Sequence, residues 1–538
     1  MKPHNNINNN NSNTKNLKDQ TGFWSTMKPT SPPSSRPFLP RFMIYLILSL
    51  SLIYFSYSFN LLFSSSCHPD TNTTLNNVSL FLLASPTTSQ PPPPPPPPPP
   101  PSPPPPSPSL SYTPTGLQHI VFGIAASSRL WDKRKEYIKI WWRPHIMRGY
   151  VWLDKPVKEF KSSSSSSSSL PILKISSDTS SFPYTHKQGS RAALRLSRIV
   201  SETLRLSLPN VRWFVMGDDD TVFFPDNLVH VLSHYDHRQP YYIGSLSESH
   251  LQNIYFSYGM AYGGGGFAIS RPLAESIARM QDGCLRRYPA LYGSDDRIQA
   301  CMAELGVPLT RHPGFHQYDV YGDLLGLLAA HPVAPLISLH HLDVVQPIFP
   351  SLRSRPASVR RLFDGPVKLD SAGVMQQSIC YEKSKRWTVS VSWGFVVQIV
   401  RGVISPREME TPARTFLNWY RRADYTAYAF NTRPVARNPC QKPFIYYLSS
   451  WSYDRGRRTT VTTYSRHRQS QPTCRWHLPD PSHFVGRVVV TKKPDPSLWD
   501  RAPRRNCCRV TPVKDGKRGE KIMNVEVGVC RDGEISEI

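Results

Sequence analysis

The sequence predicts an α/β fold followed by a smaller β-rich domain. From Gly116 to Pro350, short apolar runs rich in β-branched residues alternate with amphipathic segments, a pattern typical of strands and helices that build one mostly parallel sheet. Beyond about Val367 the helical periodicity stops, and runs such as WTVSVSWGFVVQIV and RVVVTKK indicate strands. We therefore expect two folded parts, residues 116–350 and residues 367–538.

Three segments precede these folded parts. Residues 1–41 are rich in Asn, Ser, Pro and Lys and predict a disordered tail. Residues 42–63, FMIYLILSLSLIYFSYSFNLLF, carry no charge and are long enough for a membrane-spanning helix, which needs about 20 residues. Residues 64–115 contain the nearly unbroken proline run 91–106, which predicts an extended stem.

Flanking charges and glycosylation sequons predict the orientation of the apolar segment. Arg36 and Arg41 precede it and the next formal charge is Asp70, so the positive-inside tendency places the N-terminus in the cytosol and the rest of the chain in the lumen. Asn72 and Asn77 begin N-x-S/T sequons just beyond the segment. The alternative is a cleaved signal peptide, but the run is too long and too far from the start for one. We expect a type II signal-anchor.

Charge and cysteine content narrow the functional class. The formal net charge of +26 favours contact with nucleic acid, anionic membranes or polysaccharides, and the predicted lumenal location excludes nucleic acid. Cys67 is left over beside the membrane segment and either links two chains into a homodimer or stays free. The other cysteines are even in number, which suits disulfides in an oxidising compartment. They are Cys284, Cys301, Cys380, Cys440, Cys474, Cys507, Cys508 and Cys530, with Cys507 or Cys508 a candidate partner of Cys530.

Between Gln118 and Leu206 the alternation predicts three strands and two helices. In the second helix apolar residues form one stripe, and Arg191, Arg195 and Arg198 lie on the opposite face. A run of serines at 162–169 indicates a surface loop insertion. The five elements are strand 118–126, helix 136–142, strand 150–153, strand 170–175 and helix 190–206.

Three consecutive acids end the next predicted strand. Residues 211–224 read VRWFVMGDDDTVFF, so Asp218, Asp219 and Asp220 directly follow an apolar run. Adjacent carboxylates disfavour each other's ionisation, and a bound divalent cation relieves this conflict. Asp218 and Asp220 project to one side of an extended segment, and hard oxygen ligands suit Mg²⁺ or Mn²⁺. Capping of a turn, or of the helix that begins near Pro225, explains one acid more easily than three.

A tetraglycine precedes another predicted strand. Residues 258–270 read YGMAYGGGGFAIS, and glycines allow the backbone to approach a ligand closely. The alternative is a flexible surface loop. Ser270 is expected to cap the helix that follows. The glycines are Gly263, Gly264, Gly265 and Gly266.

An acid pair begins the next predicted helix. Residues 292–306, YGSDDRIQACMAELG, place Ser294 at the N-cap and Gly306 at the helix end. Asp295 and Asp296 therefore lie in the first turn, where stabilisation by the helix dipole, under about 1 kcal/mol, is the structural alternative to a functional role.

A histidine pair ends a later strand. Residues 335–350, PLISLHHLDVVQPIFP, place His340 and His341 at the strand end. Paired histidines are more often structural, but an imidazole can complete an aspartate-rich metal site.

In this order, the DDD, GGGG, SDD and HH stretches resemble the Fringe-like branch of glycosyltransferase family 31, over about residues 118–350. The resemblance implies a GT-A fold, a UDP-sugar donor, Mn²⁺ or Mg²⁺, and inverting hexosyl transfer that forms a β-1,3 bond to a glycan or glycoprotein acceptor. It also implies a Golgi membrane location. The run WWRPHIMRGYVWLDKP from Trp141 and the tail from about Trp387 are similar to plant proteins that append a domain of unknown function to this core.

The resemblance implies how a metal ion is held. Asp218 and Asp220 correspond to the D-x-D pair, with Asp220 the preferred ligand. The histidine ligand corresponds to His341 or His340, with His341 preferred.

The resemblance also implies a general base and a donor pocket. The base falls in the pair Asp295 and Asp296, with Asp296 preferred. A departure from the family pattern is Arg297, which follows the acid pair where many relatives carry an apolar residue. The residues implied to contact the nucleotide-sugar are Ala125, Ser127 and Arg129 at the end of the first strand, Asp218 and Asp219, and the four glycines Gly263, Gly264, Gly265 and Gly266.

Two other functional classes are alternatives to a glycosyltransferase. A membrane-anchored, lectin-like or UDP-sugar-binding protein would keep the fold without catalysis. A structural cell-wall protein is disfavoured, because such proteins repeat their proline motif and this chain has a single proline block. The tail carries residues that suit stacking on sugars or contact with anionic sugars, although each aromatic is more often a core residue. They are Trp393, Trp419, Tyr420, Arg421 and Arg422.

Overall fold

The computed structural model describes residues 41–63, 113–160, 169–420, 424–468, 474–515 and 521–534. These residues belong to two compact units, with 41–63 in one and 113–534 in the other. The predicted serine loop up to residue 168, the tail up to residue 40 and the stem up to residue 112 lie outside the described residues.

The smaller unit contributes helix α1, Arg41–Phe63, which covers the segment predicted to be a signal-anchor. Among the helices of the described residues, none combines the length and the hydropathy that a membrane crossing requires. The signal-anchor and its orientation stay predictions.

Strands and helices alternate in the first part of the larger unit, as the sequence predicts. The strands are β1 Ile120–Ala125, β2 Arg148–Leu153, β3 Ile172–Ile175, β4 Trp213–Asp218, β5 Val222–Phe223, β6 Tyr242–Gly244, β7 Phe267–Ser270, β8 Leu309–Arg311, β9 Val320–Gly322 and β10 Ser338–Leu339. The helices are α2 Trp131–Trp141, α3 Ala192–Ser197, α4 Ile199–Leu204, α5 Pro225–Ser233, α6 His250–Tyr255, α7 Arg271–Arg287, α8 Asp295–Glu304 and α9 Leu325–Ala329.

Seven of these strands form a mixed sheet in the order β3-β2-β1-β4-β7-β6-β8. Strand β1 pairs in parallel with β2 and β4, whereas β7 is antiparallel to β4 and β6. Ile120, Phe122 and Ile124 enter one hydrophobic core, and Val121 and Ala125 enter another, so the sheet is covered on both faces. The predicted α/β sheet with flanking helices is confirmed.

The helix predicted at 190–206 is instead two helices, α3 and α4, that meet at Arg198. Arg195 and Arg198, which were assigned to the polar face, are 7% and 6% exposed. Arg195 donates to two backbone carbonyls at the carboxyl ends of β1 and β2, and Arg198 pairs with Asp282 at 3.1 Å. An arginine can be buried where its donors reach oxygen atoms, and these oxygens come from distant segments.

The second part of the larger unit is the predicted β-rich one. Its eight strands form a sheet in the order β11-β12-β13-β15-β16-β17-β19-β18, antiparallel except for the parallel pair β17 and β19, while β14 pairs elsewhere. The strands are β11 Gln377–Glu382, β12 Trp387–Ser392, β13 Val396–Arg401, β14 Phe416–Asn418, β15 Phe444–Asp454, β16 Thr459–Arg466, β17 Arg487–Lys492, β18 Cys507–Asp515 and β19 Lys521–Gly528. The helices around it are α10 Arg355–Asp364, α11 Pro366–Asp370, α12 Pro406–Met409 and α13 Pro481–Phe484.

All eight cysteines of the larger unit are paired, as their even number predicts. The bond Cys380–Cys508 joins β11 to β18, the two edge strands of the second sheet, and so nearly closes that sheet on itself. Cys507, rather than Cys508, pairs with Cys530. The remaining bonds are Cys284–Cys301 and Cys440–Cys474.

The two parts share one hydrophobic core. Phe363 of α10 lies 5.0 Å from Phe224 between ring centroids, and Phe349 lies 5.6 Å from Phe395 of the second part. Strand β14 leaves the second part and pairs with β9 of the first. A strand of the second part therefore lies beside β9, in the segment between β8 and β10 of the first part.

Candidate metal centre and donor site

The three acids lie at the carboxyl end of the two central parallel strands. Strand β4 ends at Asp218, which is directly opposite Ala125 at the end of β1. Asp218, Asp219 and Asp220 are each at most 2% exposed. Ligand sites in open α/β sheets form at this edge, so the placement agrees with the sequence prediction.

Two of the acids and one histidine form a cluster suited to a metal ion. Asp218, Asp220 and His340 each offer a ligand atom, and these atoms lie within 4.8 Å of one another. His340 Nε2 is 3.3 Å from Asp220 Oδ1 and 3.7 Å from Asp218 Oδ2. Neither carboxylate oxygen of Asp218 accepts a hydrogen bond from a described residue. A buried carboxylate of this kind is stabilised by a proton or by a bound cation, and two carboxylates with one imidazole fit Mn²⁺ or Mg²⁺.

Arg134 of α2 supplies a positive charge beside the cluster. It is 3% exposed, and its Nη1 lies 3.1 Å from oxygens of both Asp219 and Asp220. Its Nη2 lies 2.9 Å from Asp343. Sequence reasoning missed Arg134 and Asp343, because Arg134 is one of several basic residues in WDKRKEYIKIW and nothing local distinguishes it.

Burial and neighbouring charges shift the pKa values of the three acids in different directions. Burial, reinforced by the neighbouring carboxylates, raises the pKa of Asp218 well above its usual value. Burial also raises the pKa of Asp219, to about 6, although Arg134 opposes the shift. At Asp220 burial acts in the same direction, but Arg134 and His340 outweigh it and lower the pKa. Asp220 is therefore the acid held ionised, as its preferred role as a ligand requires.

The geometry favours His340 over His341 as the histidine ligand, the reverse of the preference from the resemblance. His340 Nδ1 contacts the carbonyl of Gln317 at 3.1 Å, which turns Nε2 towards the acids. His341 has a φ of 55°, and its Nδ1 lies 3.4 Å from Asp319. Consecutive residues after a strand point in different directions, and here distant contacts decide which one faces the acids.

The tetraglycine packs against this cluster and is buried rather than a flexible surface loop. A Cβ on Gly264 would lie 2.2 Å from the His340 ring, so only glycine leaves room for that imidazole. Gly266 has a φ of 82°, which also requires glycine. Gly265 donates its N–H to Gln317 at 2.6 Å, which holds the residue whose carbonyl orients His340.

The acid pair begins α8 as predicted, but the two carboxylates accept hydrogen bonds from different segments. Asp295 is 5% exposed and accepts the Gly263 N–H at 3.0 Å, and burial raises its pKa to about 8. Asp296 accepts the backbone N–H groups of Tyr292 and Gly293 at 2.8 and 3.0 Å. As the candidate general base, Asp295 is therefore favoured over Asp296. Asp295 contacts the glycine turn, whereas Asp296 accepts hydrogen bonds from the residues just before its own helix.

Both serines predicted to cap helices occupy the N-cap position without capping. The Ser294 hydroxyl donates to Asp295 at 3.2 Å. Ser270 accepts the Tyr241 N–H and donates to the carbonyl of Gln239. In each case another hydrogen bond of the hydroxyl replaces the one to the helix N-terminus.

Two family models match the larger unit. A family model described as Fringe-like matches residues 115–325, and one described as a protein of unknown function, DUF604, matches residues 252–508. Residues 115–325 are thus Fringe-like, in keeping with the resemblance to the Fringe-like branch of glycosyltransferase family 31. The C-terminal part is thus the appended domain of unknown function, which begins within the Fringe-like region.

Two curated relatives of this Fringe-like protein are β-1,3-glucosyltransferases. The one from Mus musculus is 35% identical over 152 residues, 28% of this chain and 29% of the relative. The one from Homo sapiens is 34% identical over 119 residues, 22% of this chain and 23% of the relative. The chain therefore matches less than a third of the length of either relative.

Solved structures with some likeness to the Fringe-like protein include two glycosyltransferases. A mannosyltransferase from Pyrobaculum calidifontis, in complex with GDP-Man and Mn²⁺, is 15% identical with a TM-score of 0.24, over 42% of this chain and 63% of that one. A glycosyltransferase involved in glycosylation of the PBCV-1 major capsid is also 15% identical with a TM-score of 0.24, over 45% and 98%. These scores are too low to support an inference about the site.

In the Fringe-like protein, the residues implied to contact the nucleotide separate into two groups. Ala125 and Ser127 are buried at the end of β1, and the Ser127 N–H points to Asp219 at 3.4 Å. Arg129 lies in the following turn and is exposed. Ala125 and Ser127 thus lie beside the acids, whereas no contact places Arg129 there.

The appended domain contributes an aromatic side chain to the site. Trp419, just after β14, stacks on His341 with centroids 4.9 Å apart and planes 10° apart, and its backbone N–H donates to the carbonyl of Asp319. Tyr321 also stacks on Trp419, with ring centroids 4.5 Å apart. Trp393 is a core residue, 1% exposed, and residues 421–423 lie outside the described residues. Among the described residues of the tail set named above, Trp419 is the one with a ring contact to the histidine pair.

Proposed function

We propose that this protein is an inverting, metal-dependent hexosyltransferase that moves a sugar from a UDP-sugar to an acceptor hydroxyl and forms a β-1,3 bond. The observation that carries the proposal is the cluster of Asp218, Asp220 and His340 at the sheet edge, with the unpartnered carboxylate of Asp218. The two relatives named as β-1,3-glucosyltransferases support the linkage.

The residues of the cluster would hold Mn²⁺ or Mg²⁺, which as a Lewis acid stabilises the charge of the departing diphosphate. Asp295 is the proposed general base. In a single displacement the acceptor oxygen bonds to the anomeric carbon, the bond from that carbon to UDP breaks, and the hydroxyl proton passes to the Asp295 carboxylate. Arg134 keeps Asp219 in place beside Ser127, at the end of the strand where the nucleotide is expected.

We also propose that the protein acts in the Golgi lumen, as a type II membrane protein, on a glycan or glycoprotein. The apolar segment 42–63 and the four disulfides support a secretory compartment. The donor sugar and the acceptor depend on pocket contacts that the family resemblance does not specify.

One observation favours a second candidate, a UDP-sugar-binding protein without catalysis. Arg134 Nη1 lies 3.1 Å from Asp220 Oδ1, so a guanidinium already supplies part of the charge that a cation would supply. A protein with this arrangement could bind a diphosphate without turning it over.

The test is a screen of UDP-sugars with the full chain, with and without Mn²⁺, in which released UDP and transferred sugar are measured. We expect Mn²⁺-dependent turnover, and at least about a 100-fold loss in Asp220→Asn, because a metal contribution of several kcal/mol is removed. The matched control is Asp226→Asn, an exposed aspartate on α5 that pairs with Arg143. UDP binding with Mn²⁺ and no turnover with any donor would establish the second candidate instead.

A further inference from the structure

A second group of metal-ligating side chains lies apart from the Asp218 cluster. His230 and His234 are one turn apart at the C-terminal end of α5, and Asp500 approaches them from a short 3₁₀ turn, Leu498–Asp500, that precedes β18. We call these three residues the His-His-Asp cluster. It brings together the first part of the chain and the appended domain.

The spacing of the three ligand atoms fits a small transition-metal ion. His230 Nε2 lies 3.4 Å from Asp500 Oδ1, and His234 Nε2 lies 3.8 Å from the same oxygen. Around tetrahedral Zn²⁺, bonds of about 2.0–2.1 Å separate neighbouring ligand atoms by roughly 3.3 Å. Both histidine–aspartate separations are therefore within about 0.5 Å of this spacing, and all three ligand atoms lie within 4.8 Å of one another.

The hydrogen bonds of the histidines leave the required lone pairs available. His234 Nδ1 lies 2.8 Å from the carbonyl of His230, and a carbonyl only accepts, so Nδ1 carries the proton and Nε2 presents its lone pair to the cluster. Zinc-binding histidines are commonly oriented by a backbone carbonyl in this way. His230 Nε2 is buried and forms no hydrogen bond with any described residue.

The surroundings leave space for the remaining position of a metal ion. The His234 and Asp500 side chains are 56% and 51% exposed, so water can complete the coordination. A cavity of about 370 Å³, lined in part by His230 and Trp499, opens beside the cluster. Two imidazoles and one carboxylate favour Zn²⁺ over Mg²⁺ or Ca²⁺, which prefer oxygen ligands.

We propose that the His-His-Asp cluster binds Zn²⁺, or a transition-metal ion of the same class, and thereby ties α5 to the segment before β18. Because two ligands come from α5 and the third from the appended domain, bound metal stabilises the folded state over the unfolded one. The site is independent of sugar transfer, since its residues differ from those of the Asp218 cluster.

Calorimetric titration of Zn²⁺ into the EDTA-treated full chain tests the proposal. Wild type is expected to bind one more Zn²⁺ ion than His234→Ala, or to bind that ion at least about tenfold more tightly. Asp220→Asn is expected to weaken binding at the other cluster only, which distinguishes the two sites. His237→Ala, a change at a nearby histidine outside the cluster, is expected to bind like wild type.

Thermal unfolding supplies a second readout. Zn²⁺ is expected to raise the melting temperature of wild type and His237→Ala, and to leave that of His234→Ala and Asp500→Asn unchanged. His234 and Asp500 are half-exposed, so without metal all four proteins are expected to melt alike, and a fold defect would appear there. Equal Zn²⁺ stoichiometry and affinity in wild type, His234→Ala and Asp500→Asn would overturn the proposal.

Discussion

The balance of buried charge at the sheet edge is decided by single residues. Asp219 and Asp220 lie against Arg134, which also holds Asp343, while Asp218 has no hydrogen-bond donor among the described residues. One guanidinium cannot neutralise four carboxylates. Protons take up part of this charge when no metal is bound, which is why the pKa of Asp218 is raised, and a divalent cation would take their place.

Arg134→Ala is predicted to destabilise the protein by about 3–5 kcal/mol, because it leaves Asp219 and Asp220 buried without their partner. Denaturant unfolding measures the change. The control is Arg143→Ala, which breaks the exposed pair with Asp226 and is expected to cost less than about 1 kcal/mol. A similar loss in both variants would show that the buried ion pairs contribute no special stability.

The pH dependence of sugar transfer is predicted to report Asp295. A general base acts in its ionised form, and burial raises the pKa of Asp295 to about 8. The kcat/KM should therefore rise from pH 6 and level off above pH 8, with the base ionised on the high-pH side. Asp295→Asn should lower kcat by about 10²–10⁴-fold and remove this rise.

Asp296→Asn is the matched control at the neighbouring position. Its side-chain oxygen can still accept the Tyr292 or Gly293 N–H, so turnover should stay close to wild type. Loss of activity in Asp296→Asn with activity kept in Asp295→Asn would restore the assignment that the family resemblance implied.

At the scale of elements, the tetraglycine before β7 and the end of β10 form one packed unit. Gly264 lies under His340, and the Thr221 hydroxyl donates to the Gly264 carbonyl at 2.7 Å. The Ser338 hydroxyl of β10 donates to the Gly265 carbonyl. The glycines thus position the histidine and need not touch the sugar themselves.

Gly264→Ala is predicted to weaken Mn²⁺ binding, because the added Cβ would lie within 2.6 Å of three atoms of the His340 ring. Loss of one ligand should raise the Kd for Mn²⁺, measured by calorimetry, about 10–100-fold. Gly283→Ala in α7 is the control; its Cβ meets only the end of the Arg287 side chain, and alanine favours the helix. Unchanged Mn²⁺ affinity in Gly264→Ala would remove His340 from the ligand set.

At the scale of the whole molecule, the appended domain is part of the site's construction. Strand β14 pairs with β9, and the ring of Trp419 stacks on those of both His341 and Tyr321. The hydrophobic core is continuous between the two sheets. The appended domain therefore helps to build the region behind the histidine pair.

Trp419→Ala is predicted to lower kcat/KM by up to about tenfold, because an aromatic stack contributes about 0.5–1.5 kcal/mol. Trp419→Phe should restore most of the loss, since it keeps a ring beside His341. Trp476→Ala, at a tryptophan of the same domain that is 36% exposed, should behave like wild type. Steady-state kinetics with the best donor measures all three, and wild-type kinetics in Trp419→Ala would separate the appended domain from the site.

Local sequence patterns were enough to predict many of the helices and strands. Periodicity located β4, α5 and α8 within a few residues, since burial of one face repeats along a segment. The order of the DDD, GGGG, SDD and HH stretches was enough to indicate the family and the edge of the sheet where they meet. The even number of cysteines was enough to indicate disulfides, although it did not choose between Cys507 and Cys508.

The sequence by itself determined the fold class, the family and the small set of polar residues at the sheet edge. Only the tertiary structure shows which neighbour makes which contact: His340 lies beside Asp220, and Asp295 accepts the Gly263 N–H. It also shows that Arg134 lies beside Asp220 and Trp419 beside His341. The physical reason is that periodicity reports which face of a segment is buried, whereas the direction of one side chain depends on partners that are distant in the sequence. Gln317 turns His340 towards the acids, and Gly263 receives Asp295.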